Sequence, residues 1–104
     1  MHEINCYKKT ASSYMARIKF TSALKRFFPT LTEIEIEGDT VRDVLNNTEK
    51  IYPGISSYLI QDDGALRKHV NIFIQGNLIE NRQTLNDTVK RNDELLIFQA
   101  LSGG

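Results

Sequence analysis

Two short stretches of the chain alternate between hydrophobic and charged residues. In "ARIKF" the isoleucine and phenylalanine fall on one side of an extended chain, and Arg17 and Lys19 fall on the other. "TEIEIEG" sets two isoleucines against Glu33, Glu35 and Glu37 in the same way. A period of two is typical of β-strands with one buried face. Antiparallel pairing would place the two cations opposite the glutamates, although simple exposure of both charged faces to water fits the pattern too.

The next stretch, "GDTVRDVLNNTEKIYPG", changes to the period of a helix. Thr40 is a suitable N-cap with Asp43 three positions later, and Pro53 and Gly54 supply a stop. The hydrophobic or small residues recur at the spacing of one helical face: Val41, Val44, Leu45, Thr48 and Ile51. The pattern therefore predicts one amphipathic helix.

"HVNIFIQGNLIEN" returns to the strand period and predicts a hairpin. The valine and isoleucines from position 70 to 74 share one face, while Asn71 and Phe73 share the other. Gly76 and Asn77 are the predicted two-residue turn. Before this hairpin, "ISSYLIQDDGALRK" predicts a short helical turn near Tyr58 followed by a surface loop at "DDG".

The last part of the chain predicts one further strand, "ELLIFQA". It is preceded by "QTLNDTVKRND", in which Leu85 and Val89 are hydrophobic anchors and Asn92 with Asp93 forms a tight corner. Leu95 and Ile97 fall on one face of this strand, and the alternate residues fall on the other.

The element order is β-β-α-β-β-β, which predicts the α+β class. One main helix would pack on one face of a mixed four- to five-stranded sheet, with the last strand lying centrally and parallel to the first. Residues 1–14 are polar without a clear period, and we expect an N-terminal extension that is disordered or not native to the protein. Residues 15–100 form the predicted domain, and 101–104 form a flexible C-terminal tail.

Composition narrows the classes of function. The chain has 104 residues, enough for one domain, with 13 basic and 13 acidic residues. Zero net charge gives no reason to expect nucleic acid or an anionic membrane as a partner. There is no apolar run near the roughly 20 residues that span a bilayer, and no signal-peptide pattern at the start. With Cys6 as the single cysteine, a cytoplasmic location fits best.

The sequence offers no set of residues for catalysis. Cys6 lies in a polar stretch without a histidine at a significant spacing, and His2 and His69 are too few and too far apart for a metal site. No glycine-rich phosphate loop and no nucleophile motif occurs. We therefore predict no catalytic residues and no metal ligands.

The chemically distinctive feature is the C-terminal "LSGG". Without a Cβ, Gly103 and Gly104 adopt backbone angles closed to other residues, and they fit narrow channels. Taken alone, the dipeptide is better explained as a cloning remnant or a frayed end. The order of predicted elements that precedes it favours a functional tail instead.

The order of motifs resembles that of the MoaD/ThiS family of ubiquitin-like sulfur carriers, most closely the cysteine-biosynthesis (CysO-type) carriers. The resemblance rests on "VRDVLNNTEKIYPGI", "LRKHVNIFIQGN" and "NDELLIFQALSGG", and it spans about residues 16–104. It implies a β-grasp (ubiquitin-like) fold. It also implies that the chain is not an enzyme but a protein co-substrate of partner enzymes.

The resemblance further implies the chemistry of the tail. An E1-like (MoeB/ThiF-type) adenylyltransferase would adenylate the carboxylate of Gly104, using ATP and Mg²⁺ that this chain does not itself bind. Conversion to a thiocarboxylate would follow, and a sulfur-accepting synthase would use that sulfur. Cysteine biosynthesis is favoured, with molybdopterin or thiamine also open. Two alternatives are a protein modifier that joins Gly104 to target lysines, and an interaction domain whose tail is never activated.

Partner enzymes need a surface to bind. A single helix covers one face of the sheet, so Phe73, Leu96 and Phe98 are predicted to form an exposed apolar patch beside the tail. Leu101 would be the last anchor before the free tail, and Ser102 is small enough to follow the glycines into a channel. The alternative is that loop 55–68 or the N-terminal extension covers the patch.

Overall fold

The fold is known from a computed structural model, which describes residues 15–99. The predicted extension at 1–14, the last residue of the predicted domain and the tail at 101–104 lie outside the described residues. Within them the elements are β1 (Met15–Phe20), α1 (Ser22–Lys25), β2 (Ile34–Glu37), α2 (Val41–Ile51), α3 (Ser56–Leu59), β3 (Val70–Ile74), β4 (Asn77–Leu78) and β5 (Glu94–Gln99).

The strands form one five-stranded sheet in the order β2-β1-β5-β3-β4. β1 and β5 run parallel at its centre, with Ile18 beside Leu95 and Phe20 beside Ile97. The other neighbouring pairs are antiparallel. The predicted α+β class, the mixed sheet and the central, parallel position of the last strand are therefore confirmed.

The helix α2 packs on one face of this sheet and closes the core. Thr40 caps it as predicted, since its Oγ1 accepts a hydrogen bond from the Asp43 backbone N–H at 3.2 Å. The core joins the inner residues of the strands to one stripe of the helix and includes Ile18, Ile36, Val41, Val44, Leu45, Ile72, Leu95 and Ile97. Burial of each such side chain stabilises the fold by about 1.5–3 kcal/mol. The predicted anchors Leu85 and Val89 are buried in the same core.

Ile51 departs from the predicted helix stripe, because its side chain is 49% exposed. It occupies the last position of α2, where the chain turns away towards Gly54. Thr48 is buried as predicted, and its hydroxyl donates to the Val44 carbonyl at 2.7 Å. That bond satisfies the polar group inside the core.

The hairpin of β3 and β4 turns one residue earlier than the sequence predicts. Ile74 pairs with Asn77, so that the turn residues are Gln75 and Gly76, with φ of 52° and 83°. Positive φ at both central positions is the geometry of a type I′ turn. The prediction of Gly76 and Asn77 was wrong because glycine was placed at the first turn position instead of the second.

The predicted charge pairing is right for one cation and wrong for the other. The Arg17 Nε atom lies 3.0 Å from Glu33 Oε2, and an Nη atom lies 3.9 Å from Glu35 Oε2. The Lys19 Nζ atom instead lies 2.9 Å from Glu94 Oε2. Lys19 turns to β5 because that strand is the second neighbour of β1 in the sheet.

Gly38 gives a test of how closely α2 packs on the chain that precedes it. A Cβ at Gly38, where φ is +155°, would lie 2.7 Å from Val44 Cγ2 and 2.8 Å from the Val44 backbone N. At Gly54, where φ is +96°, no atom lies within 4 Å of such a Cβ. Both sites disfavour a side chain, but Gly38 alone adds a steric clash.

We expect Gly38→Ala to lower the free energy of unfolding by about 3 kcal/mol, and Gly54→Ala by about 1 kcal/mol. Urea unfolding of both variants beside the wild type measures the difference. Equal losses would contradict the close packing of α2 against Gly38.

Candidate functional site

The outer face of the sheet, opposite α2, carries an apolar patch that crosses three strands. Phe73 on β3 lies between Leu96 of β5 and Leu78 of β4 in the strand register. Phe98 lies one step further along the same face of β5, beside Asn71. We call Phe73, Leu78, Leu96 and Phe98 the outer patch.

The outer patch differs sharply from the buried positions that alternate with it. Leu95 and Ile97 are completely buried, whereas Phe98 is 42% and Leu78 is 51% exposed. Phe73 and Leu96 are half-buried. A shallow depression of about 340 Å³ lies over these two residues and is bordered by Lys19, Gly76 and Glu94. Exposed apolar side chains collected on one face are typical of a surface that binds another protein.

Charged side chains occupy the neighbouring half of the same face. The hydrogen bond between Lys19 and Glu94 raises the pKa of the lysine and lowers the pKa of the glutamate. Both side chains are well exposed, as are Arg17 and its glutamate partners. Such pairs add little stability, so their main effect is to border the outer patch with fixed charges.

The end of β5 lies between two other segments at one end of the sheet, which we call the exit end. Gln99 pairs with Val70, the first residue of β3. On the other side, the Gln99 backbone N–H donates to Thr21 Oγ1 at 3.5 Å, and the Thr21 N–H donates to the Ile97 carbonyl at 3.2 Å. Residues 100–104 therefore continue from a point that is held within the sheet.

Loop 55–68 does not cover the outer patch. Ile55, Leu59 and Leu66 are buried in the core, which lies on the side of α2. Both Glu49 carboxylate oxygens accept backbone hydrogen bonds, from Gly54 at 2.7 Å and from Ser56 at 2.9 Å. These bonds lower the pKa of Glu49 and fasten the start of the loop to the end of α2.

The structure brings together the predicted partner-binding residues Phe73, Leu96 and Phe98 on one exposed surface. The remaining predicted site residues, Leu101, Ser102, Gly103 and Gly104, lie outside the described residues. The sequence did not identify Leu78 as part of this surface. A turn predicted at Gln75 and Gly76 would have paired Leu78 with Phe73. The turn predicted at Gly76 and Asn77 instead shifts the strand register by two residues and pairs Glu80 with Phe73.

The described residues contain neither a membrane-spanning helix nor a group of metal-binding side chains. Between residues 15 and 99 there is no helix of the length and apolar character needed to cross a membrane. In the same range, no three histidine, cysteine or acidic side chains are grouped so that they could hold a metal ion.

Comparison with known sequences finds a family and named relatives. The model of the ThiS family matches residues 18–104. The small archaeal modifier protein 1 of Haloferax volcanii is 32% identical over 72 residues, which cover 68% of this chain and 78% of that protein. The small archaeal modifier protein 3 of the same organism is 30% identical over 88 residues, which cover 76% and 95%.

Comparison with solved structures confirms the β-grasp fold. The crystal structure of the BexX/CysO complex of Amycolatopsis orientalis contains a chain that superposes with a TM-score of 0.74 at 22% identity. The match covers 86% of this chain and 99% of that one. At this identity the likeness concerns the fold.

The contrast between the two faces of β5 can be tested with two adjacent residues. We expect Ile97→Ala to lower the free energy of unfolding by about 2–5 kcal/mol, because it leaves a cavity in the core. Phe98→Ala should cost less than about 1 kcal/mol, because a large part of its ring is already in water. Urea unfolding measures both, and a loss at Phe98 equal to that at Ile97 would contradict an exposed outer patch.

Proposed function

This chain belongs to the ThiS family, and we propose that it is a sulfur carrier whose Gly104 carboxylate is adenylated and then converted to a thiocarboxylate. Members of the family are small ubiquitin-like carrier or modifier proteins, not catalysts, and they typically work with E1-like activating enzymes. In this proposal the chain carries the reacting carboxylate, and its partners supply the catalytic groups in the cytoplasm.

The observation that carries the proposal is the extent of the family match. It continues through the last strand to Gly103 and Gly104 instead of stopping at the folded domain. The strand that leads to these glycines is the central strand β5, whose last residue, Gln99, pairs with Val70 on one side and donates a backbone hydrogen bond to Thr21 on the other. A reactive terminus thus follows directly from a rigid element, which favours precise presentation to an enzyme.

Activation is needed because a carboxylate is a poor acyl donor. In the first step, a Gly104 carboxylate oxygen attacks the α-phosphate of ATP, and pyrophosphate leaves with the electrons of the broken P–O bond. In the second, a donor with sulfur at the oxidation level of hydrosulfide attacks the acyl carbon, and AMP leaves. The product carries a C–S bond in place of one C–O bond, and no oxidant or reductant is consumed.

The composition of the tail suits this chemistry. Gly103 and Gly104 have no Cβ, so the chain can pass through a channel that excludes other residues and adopt backbone angles open only to glycine. Ser102 is the next smallest residue, and Leu101 would remain outside as an anchor. ATP and Mg²⁺ would be held by the activating enzyme, because the chain contributes only the carboxylate.

The outer patch is the proposed contact surface for these partners. Phe73, Leu96 and Phe98 lie on the strand that leads to the tail or on its neighbour. Aromatic side chains in a partly buried apolar cluster are frequent anchors of protein interfaces. An E1-like adenylyltransferase and a sulfur-accepting synthase, for cysteine, molybdopterin or thiamine synthesis, would use the surface in turn.

A second candidate function is a protein modifier joined through Gly104 to lysines of target proteins. The names of two relatives at 30% identity or above favour it, since both are called small archaeal modifier proteins. The two functions share the acyl-adenylate and differ in the nucleophile that attacks it. Sulfur attack gives the carrier, and attack by a lysine amine gives the modifier.

The threading of the tail can be tested by appending one tryptophan after Gly104. ATP–pyrophosphate exchange by the E1-like enzyme of the same host should fall by at least about 100-fold, because the reacting carboxylate is displaced from its position. The same residue added before Met1 is the matched control and should leave the rate unchanged. Unchanged exchange with the C-terminal addition would contradict the proposal.

A further inference from the structure

The reach of the tail limits where a partner can lie. Five residues follow Gln99, and a fully extended chain spans at most about 3.6 Å per residue. A protein that holds Gly104 therefore has the opening of its site within roughly 18 Å of Gln99. Side chains that surround Gln99 at the exit end therefore lie close to that opening.

Three basic residues lie at this end. Lys25 and Arg26 follow Thr21, which contacts Gln99 directly, and the helical rise of about 1.5 Å per residue keeps them within roughly 8 Å of it along α1. Lys68 lies two residues before Val70, the strand partner of Gln99. All three side chains are exposed, and we call them the basic rim.

The basic rim is not neutralised by the part of the chain that the structure describes. In residues 15–99 the ion pairs involve Arg17 and Lys19, and none includes a residue of the basic rim. The Glu49 carboxylate accepts hydrogen bonds from the backbone N–H groups of Gly54 and Ser56. Arg67 is not counted in the basic rim, because it borders a surface depression with Asp62 and Asp63.

An exposed aromatic residue accompanies these cations. Phe27 follows Arg26 directly and is 52% exposed, while its ring stacks on Tyr58 with centroids 4.7 Å apart. The backbone N–H groups of Phe27 and Phe28 both donate to the Leu24 carbonyl, which keeps this turn compact. The exit end thus has fixed positive charge beside a held aromatic ring.

We propose that the basic rim docks on an acidic protein surface that surrounds the opening through which the activating enzyme receives the tail. This inference rests on the proposed function and extends it, since it names the charge of a second contact surface, separate from the outer patch. Because the chain has no net charge, electrostatic attraction can orient it towards a partner only through a local excess of charge such as the basic rim. Complementary charges speed association and fix orientation more than they add to final affinity.

The test compares two pairs of charge reversals with equal net charge. Lys25→Glu with Lys68→Glu alters the basic rim, whereas Lys90→Glu with Arg91→Glu alters two exposed cations that precede β5, at the opposite end of the sheet. We measure kcat/KM for the chain in ATP–pyrophosphate exchange by the E1-like enzyme of the same host. The rim pair should lower it about 10-fold at low ionic strength, and the control pair by less than about 2-fold.

Salt gives a second criterion. In roughly 0.5 M salt the Debye length falls well below 10 Å, so the deficit of the rim pair should shrink to less than about 2-fold. Equal losses in the two pairs, or no loss in either, would overturn the proposal. A wild-type chain that supports no exchange at all would instead refute the proposed function.

A titration followed by NMR tests the preference of the basic rim for an acidic partner independently of the exchange assay. A short polyglutamate peptide added to the full chain should shift the backbone amides around Lys25, Arg26 and Lys68. Shifts centred on Lys90 and Arg91, or none, would overturn it. Tighter binding of a single-stranded oligonucleotide of equal charge at the rim amides would also overturn it, in favour of a nucleic-acid partner.

Discussion

The parallel pairing of β1 with β5 is the interaction on which the rest of the structure depends. It sets Ile18 beside Leu95 and Phe20 beside Ile97 at the centre of the sheet, where α2 covers the inner face. Since parallel strands end at the same edge, the end of β5 meets the turn that follows β1. Thr21 and Gln99 are joined there, and the C-terminal residues continue from this point.

Within residues 15–99, α2 covers one face of the five-stranded sheet and no element covers the other face. The sequence divides that face between charges on β2 and β1 and apolar residues on β5, β3 and β4. The charged half borders the apolar half, which discourages indiscriminate association while leaving Phe98 and Leu78 accessible. The outer patch thus lies on the open face of the sheet, and the basic rim lies at the exit end of the sheet.

Much of this arrangement could be predicted from periodicity, because the more buried positions recur at every second residue in β1, β2 and β5. The position of the β3–β4 turn could not, since both Gln75-Gly76 and Gly76-Asn77 are plausible dipeptides and only packing decides the register. Lys19 was paired with the wrong strand because a strand pattern does not reveal its second neighbour. The basic rim was missed for a related reason: Lys25 and Lys68 are distant in sequence, and only the pairing of β1, β5 and β3 brings them to the same end of the sheet.

The central claim is that Gly104 carries sulfur, and the intact mass of the chain purified from its own host tests it most directly. We predict a species whose mass corresponds to replacement of one oxygen by sulfur, located at Gly104 by fragmentation. It should disappear when the E1-like enzyme is deleted. A Gly104 found solely as a free carboxylate, or solely in amide linkage to lysines of other proteins, would contradict the account.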